Sequence, residues 1–292
     1  MIVQLHDNIR SCLGKEDIFD AILNLDGEVY RRQKNRRTLR ITIHDRGYFA
    51  KIHAGTSWQE ILKNIFQLRL PIISAMNEVR AIQRMEGLGI PTMRIAGYGM
   101  RGLPPAWLDS FVITEEITNT ISIEDFCRDW KSAPPAFALK YAVIRKVAEI
   151  AATMHRNGVN HRDFYLCHFL LDCTSLQTTQ QPVYRTPAVE RPPVHQANLD
   201  NLTIYLIDLH RVQLRKKTPQ RWIIKDLSGL LFSAMDIGLT RRDIYRFMSE
   251  YTGKTLREML GEDRQFWLKV YCRAQRLYTK HFHCSPPLTL EL

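Results

Sequence analysis

Apolar residues recur along the chain in two rhythms, alternating at first and helical later. From about residue 18 to residue 53 the pattern reads as strands joined by turns, with Asp26-Gly27 at one bend. Ile72, Ile73, Met76, Val79, Ile82 and Met85 then recur at helical spacing, which predicts a helix over about 72–88. Gly87 and Gly89 end it, and Pro91 follows. Ile95 to Gly99 and Ser110 to Thr114 read as further strands, and Ile121 to Trp130 as a short helix with Ser122 as its N-cap. Phe137, Tyr141, Ile144, Ala148, Ala151 and His155 mark one face of a long amphipathic helix. Leu202 to Ile207 is an apolar, β-branched run, and Trp222 to Leu227 opens another helix. Strands first and helices later predict an α+β fold with a small β-rich N-terminal part, residues 1–117, and a larger helical part, residues 118–292. A polar, Pro-rich stretch of about 173–201 interrupts the second part and reads as an extended surface insertion.

Four polar positions stand out against this pattern. The long helix runs out at Gly158, and His161-Arg162-Asp163 follows at once. The Leu202 strand delivers a carboxylate at its end, Asp208 in Asp208-Leu209-His210. Tyr48 to His53 alternates like a strand and carries Lys51, and Glu78 lies in the middle of the next helix. Taken singly each has a plain explanation: Asp208 caps a turn, Lys51 faces solvent, Glu78 sits on a helix surface. Taken together, the order Lys, Glu, His-Arg-Asp, Asp is that of the protein kinases. There the loop Asp accepts the proton of the attacking hydroxyl, the Lys and its Glu hold the α- and β-phosphates, and the strand-end Asp binds Mg²⁺.

Composition narrows the class further. The chain has 292 residues, is 45% hydrophobic and can bury a sizeable core in one large domain or two lobes. No apolar run approaches the roughly 20 residues that span a bilayer, and Met1 to Asp7 lack the pattern of a signal peptide. The six cysteines are scattered without a C-x-x-C pair, which fits reduced thiols in the cytoplasm. The formal net charge of +11 points to anionic partners. Neither zinc-finger spacing nor an aromatic RNA-binding signature is present, so nucleic acid is not expected. Ten Lys and Arg side chains between Arg241 and Lys280 concentrate that charge in the C-terminal third, as a solvated helix face or as an anion-attracting site.

The chain also departs from ordinary protein kinases. No G-x-G-x-x-G precedes Lys51; Arg31-Arg32-Gln33-Lys34-Asn35-Arg36-Arg37 occupies that stretch, as a solvated basic hairpin or as arginine forks replacing the amide cradle. Five residues after Asp163, where kinases carry an Asn, stands His168. Imidazole is a poor Mg²⁺ ligand, so His168 is either a metal ligand or a group that orients Asp163 or a phosphate. The path from Asp208 to the Trp222 helix is short and contains no A-P-E, which favours a small or glycan acceptor over a peptide. Asp226 either braces the loop from inside that helix or caps it.

Phe49-Ala50-Lys51-Ile52, Ser74 to Glu86, Gly158 to Leu171, Tyr205 to Arg211 and Thr240-Arg241-Arg242-Asp243 together resemble the lipopolysaccharide core heptose(I) kinases of Gram-negative bacteria. The resemblance spans nearly the whole chain. It implies a protein-kinase-like bilobal fold, a small β-rich N-lobe and a larger helical C-lobe. It also implies ATP-dependent phosphorylation of the first heptose of the inner core at its 4-hydroxyl, Mg²⁺, and a cytoplasmic enzyme at the inner-membrane face. Acyl carrier protein is an associate of that family, and the positive charge suits it. The site residues expected are Asp163 as catalytic base; Lys51, Glu78, Glu115, Glu116 and Ile117 on nucleotide; Asp208 and His168 at metal; and Arg162, Arg241 and Arg242 on the lipid A-core glycan. Two other readings stand beside this one: a protein kinase of Tyr or Ser/Thr specificity, self-phosphorylating on one of eleven tyrosines, and a non-catalytic scaffold for an acidic partner.

Overall fold

A computed structural model of the chain describes residues 1–13, 17–33, 35–55, 74–102, 108–176, 199 and 201–290. It divides into two compact units, Met1–Thr118 with Asp208–Val212, and Asn119–Ile207 with Gln213–Leu292.

The first unit is built on an antiparallel sheet of six strands. These are β1 (Ile2–Leu5), β2 (Glu28–Gln33), β3 (Arg36–Ile43), β4 (Arg46–His53), β5 (Ile95–Arg101) and β6 (Asp109–Glu115), in the order β1-β5-β6-β4-β3-β2. Period-two alternation sorts the side chains onto two faces. Leu39, Ile41, Ala50, Ile52, Phe111 and Ile113 point one way, onto Ile9, Phe19 and Ile22 of two short helices, α1 (Asp7–Arg10) and α2 (Ile18–Leu23). Val112 points the other way, onto Ala75 and Val79 at the start of α3 (Met76–Gly87). At about 1.5–3 kcal/mol for each large apolar side chain removed from water, the first face carries most of the unit's stability. Surface ion pairs, at about 0–1 kcal/mol each, do not compete with it.

Residues 18–23 are a correction to the sequence expectation. They form a helix and not a strand, because Asp17 caps it, accepting from the amides of Phe19 and Asp20 at 2.9 and 3.2 Å. Ile18, Phe19 and Ile22 suit either period in so short a run. Strand β1, not anticipated, closes the sheet edge against β5. Ile72 and Ile73, the expected start of the Glu78 helix, lie outside the described residues, as do Lys34 and most of the Pro-rich stretch.

The second unit is mainly helical. A short strand β7 (Thr120–Ser122) leads into α4 (Ile123–Phe126), capped by Ser122 as expected, and then into the long α5 (Phe137–Arg156). Helix α5 buries Val143, Ile144, Val147, Ala148, Ala151 and Met154, while Phe137, read as part of that face, is 59% exposed and stacks on Tyr141. After α5 come β8 (Val159–Asn160), β9 (Phe169–Asp172), β10 (Ile204–Leu206) and β11 (Gln213–Leu214). Strands β7, β9 and β10 form one small antiparallel sheet and β8 with β11 another. Four helices complete the unit: α6 (Gln220–Ser233), α7 (Arg241–Thr252), α8 (Leu256–Gly261) and α9 (Arg264–Phe282). Helix α7 packs on α5, and α9 on α6. No described helix is long and apolar enough to cross a membrane.

The turn from α5 to β8 requires its glycine. Gly158 has φ +77°, and a Cβ there would lie 1.8 Å from the carbonyl oxygen of Arg215. The Arg215 amide donates to the Gly158 carbonyl at 2.8 Å, so the two backbones cannot separate without losing the β8–β11 pair. Gly158→Ala should therefore cost at least about 2 kcal/mol, through positive-φ strain and the clash. Thermal unfolding should report it as a fall of roughly 4–8 °C in a chain of this size; an unchanged Tm would mean that the turn relaxes freely.

Candidate active site

In the first unit the strand register places Lys51. Lys51 pairs with Val112 across β4 and β6, so its side chain leaves the sheet on the face that α3 covers. Glu78, in the first turn of α3, is 1% exposed. Lys51 Nζ lies 2.6 Å from Glu78 Oε1 and 3.8 Å from Asp208 Oδ1. Burial works against the Lys51 ammonium, but attraction to Glu78 and then Asp208 outweighs it and raises its pKa above the ordinary 10.5. Lys51 therefore stays charged throughout the physiological range. Glu78 Oε2 has no hydrogen-bond partner among the described residues, so the buried carboxylate depends on Lys51.

Asp208 adopts φ +60° and ψ +49°, a left-handed conformation uncommon outside glycine. The rest of its segment is tied to α3. Asn77 Nδ2 donates to the carbonyls of His210 and Val212 at 2.9 and 3.1 Å. His210 Nδ1 lies 2.5 Å from Asp208 Oδ1. Backbone strain that neighbouring contacts hold in place is a mark of functional segments.

Positive potential gathers around this cluster. Gln33 pairs with Arg36, so the basic stretch is a hairpin between β2 and β3. Its Arg31 acts on Lys51. Burial first, then Arg36, Lys51 and His210, depress the His53 pKa to about 3, so that imidazole is neutral. Glu116, in contrast, is engaged: its carboxylate takes both prongs of the Arg40 guanidinium at 2.8 Å. The amides of Glu115 and Glu116 donate to the carbonyls of Arg94 and Gly47, both at 2.9 Å.

In the second unit a buried carboxylate shapes the His161-Arg162-Asp163 loop. Asp226, 1% exposed, sits seven residues after the N-cap position Pro219, so it does not cap α6. It accepts the His161 amide at 2.6 Å and the Arg162 amide at 2.8 Å. Arg162 is held at φ +77°, and the two amide bonds fix it there. His155 Nε2 lies 3.4 Å from Asp226, and its Nδ1 lies 2.9 Å from the Tyr251 hydroxyl. The His161 ring, fully buried, reaches the Ile207 carbonyl at 3.0 Å. His168 Nδ1 donates to the Asp163 carbonyl at 2.7 Å, and the His168 amide donates to Tyr165. Phe164 anchors the far side of the loop, edge-on to Phe169 at 5.0 Å.

Several of these contributors carry no sequence signal of their own. Asn77 and His155 sit at ordinary helix positions, and their partners are more than 70 residues away. His210 is visible only as the last residue of the Asp208-Leu209-His210 triplet, with nothing to mark its contact to Asp208. Arg241 and Arg242 open α7, exposed, and the capping there belongs to Thr240 and Asp243. Two cations in the first turn oppose the helix dipole, so helix stability does not explain them.

Mg²⁺ takes hard oxygens, keeps several waters and is commonly held by one or two carboxylates plus substrate phosphates. Asp208, a single carboxylate beside Lys51, fits that pattern. The described residues contain no group of three or more His, Cys, Asp and Glu of the kind that would cage a metal without substrate.

A β-rich unit bearing a Lys–Glu–Asp cluster, followed by a helical unit bearing a braced His-Arg-Asp loop, defines a kinase-like phosphotransferase. Residues 20–183 and 193–251 match the lipopolysaccharide kinase (Kdo/WaaP) family, and the chain belongs to it. The lipopolysaccharide core heptose(I) kinase WaaP of Pseudomonas aeruginosa is 41% identical over 280 residues, 96% of this chain and 97% of that protein. That of Escherichia coli K12 is 41% identical over 276 residues, 94% and 97% respectively. A solved structure, WaaP in complex with acyl carrier protein, superposes with a TM-score of 0.75 at 39% identity, over 95% of this chain and all of that one. The expected α+β, kinase-like fold and the family resemblance are thereby borne out.

The Lys51–Glu78 pair makes a pH-dependent prediction. A lysine whose folded pKa is raised stabilises the fold fully below its unfolded value and loses that contribution as pH climbs through the raised one. Glu78→Gln should cost roughly 3 kcal/mol at neutral pH, the scale of breaking a buried pair. In denaturant titrations from pH 7 to 11 the gap to the parent should hold steady and narrow only above pH 10.5. A gap that closes below pH 9 would show that the Lys51 pKa is not raised by the pair.

Proposed function

We propose that this chain transfers the γ-phosphoryl group of ATP to the 4-hydroxyl of the first heptose of the lipopolysaccharide inner core. The observation that carries the reading is the near-full-length match to curated heptose(I) kinases, in a chain whose Lys51, Glu78, Asp163 and Asp208 are all present. Lys51, oriented by Glu78, attracts the α- and β-phosphates, and the Arg31–Arg37 hairpin adds positive charge where a glycine-rich loop is missing. Glu115, Glu116 and Ile117 border the nucleotide through backbone groups and the Ile117 side chain. Asp208 would hold Mg²⁺, which neutralises charge on the β- and γ-oxygens. Asp163 accepts the proton of the heptose hydroxyl as its oxygen bonds to the γ-phosphorus and the bond to the β-phosphate oxygen breaks, releasing ADP. His168, bonded through Nδ1 to the Asp163 carbonyl, positions that loop, and imidazole is a poor ligand for Mg²⁺.

The acceptor side follows from charge. Lipid A-core glycan carries phosphates and acidic sugars, and the membrane below it is partly anionic. A chain of net charge +11 meets such a surface by electrostatic attraction, as a peripheral protein at the cytoplasmic face of the inner membrane. Arg241 and Arg242 steer the glycan, and Arg162 contacts it next to Asp163. The same charge suits an acidic protein, and the solved relative is a complex with acyl carrier protein, so acyl carrier protein is the proposed protein partner. A protein-kinase reading is less well supported: α6 begins about a dozen residues after Asp208, too soon for the platform that seats a peptide.

The test is transfer of labelled phosphate from ATP to purified lipopolysaccharide lacking inner-core phosphate, with a generic protein acceptor alongside. Label in the glycan and not in the protein is the expected result; the reverse pattern would establish the protein-kinase reading. Asp163→Ala should lower kcat by at least about 10²-fold, the scale of general-base loss, while ATP still binds. Near-normal turnover in that variant would remove Asp163 from the mechanism.

Reversing Arg241 and Arg242 to Glu should raise KM for lipopolysaccharide several-fold at low salt, an effect that fades near 1 M salt, where the Debye length is about 3 Å. KM for ATP should stay nearly unchanged. A lower Tm with both KM values unmoved would reduce the two arginines to structural residues.

A further inference from the structure

Beside the catalytic loop, four cations converge on one indole ring. Arg162, Arg215, Arg221 and Lys225 place their charged groups 5.5, 5.8, 5.6 and 5.4 Å from the Trp222 ring centroid. Each distance is within cation–π range, and the cluster brings four like charges close together around one ring.

The fold nevertheless holds the cluster firmly. Arg162 is fixed by the Asp226 clamp on its own amide. Arg215 is held by two neutral groups, Nη1 on Asn160 Oδ1 at 2.5 Å and Nη2 on Gln213 Oε1 at 2.7 Å. Trp222, Arg221 and Lys225 come from the first two turns of α6, whose dipole adds further positive potential at that end. Among the described residues no carboxylate pairs with Arg215 or Arg221. Lys216 and Lys217, both exposed, continue the basic run.

An anionic oxygen group in this cluster adds an attraction to each cation that offsets their mutual repulsion. Arg162 is the chain neighbour of Asp163, so such a group would lie within a sugar residue's reach of the proposed base. We propose that the cluster around Trp222 is the acceptor subsite that binds a carboxylate or phosphate of the glycan next to the reacting heptose, and so selects and orients the acceptor. This inference rests on the reading of the acceptor as inner-core lipopolysaccharide. It differs from the steering role of Arg241 and Arg242, which lie on another helix.

The test compares Arg221→Gln, Lys225→Gln and the Arg215→Gln/Arg221→Gln double variant with the parent, using lipopolysaccharide that lacks heptose phosphate and saturating ATP. KM for the acceptor should rise by about tenfold in the double variant at low salt, with KM for ATP not following, because phosphate- or carboxylate-binding arginines contribute on that scale. Arg221→Lys should recover most of the loss. Arg215 has structural bonds, so if the double variant does not fold, Arg221→Gln and Lys225→Gln alone decide. Repeating the assay with acceptor whose lipid A phosphates have been removed separates the sources. A gap between parent and variants that disappears assigns the cluster to a phosphate, and a gap that persists assigns it to a carboxylate. Acceptor KM values within twofold of the parent in both single variants, with the parent active, would overturn the subsite and leave the functional reading intact. A parent that labels no lipopolysaccharide would overturn the functional reading and the subsite together.

Discussion

The second unit depends on one buried carboxylate. Asp226 accepts two consecutive amides, His161 and Arg162, and a buried carboxylate in that position is tolerable only because those donors and His155 satisfy it. The same bonds hold Arg162 in a left-handed conformation that a non-glycine residue would otherwise leave. The loop is therefore held rigidly, with Asp163 next in line. Around the clamp, Phe164, His155 and His161 pack their rings together, so removing the carboxylate would unsettle a core as well as a loop.

The first unit solves a related problem by a different device. A fully buried Glu78 would be costly alone, and Lys51 makes it affordable while keeping its own charge. Asp208 joins the pair at 3.8 Å, and Asn77 ties the Asp208 segment to the helix that carries Glu78. Lysine, glutamate and aspartate thus report on one another: displacing α3 moves Glu78 and the Asp208 segment together. The positive field left over, from Lys51 and the hairpin arginines, is what a polyphosphate requires.

Much of this was legible along the chain. The helices at Met76–Gly87 and Phe137–Arg156 follow from apolar spacing, and the strands around Lys51 from alternation. The polar landmarks Lys51, Glu78, Asp163 and Asp208 follow from their order and their neighbours. Ile18–Leu23 forms a helix where the sequence suggests a strand, because six residues with five apolar positions fix no period, and the deciding group, the Asp17 side chain, acts through hydrogen bonds and not through pattern.

What the sequence by itself determined is most of the longer elements and the residue chemistry each one carries, because periodicity and residue type are local properties. What only the tertiary structure decided is partnership. Asp226 was legible as a brace or a cap, and its amide partners more than 60 residues upstream settled the matter. The Glu116 carboxylate is held by Arg40, 76 residues away, a pairing that no local pattern announces. Trp222 is legible in the sequence only as part of a helix, and the cations from the loop, from Arg215 just after β11 and from its own helix meet around it only in space. Hydrogen bonds and charge clusters act over a few ångströms of space, and the chain alone does not say which distant residues will share them.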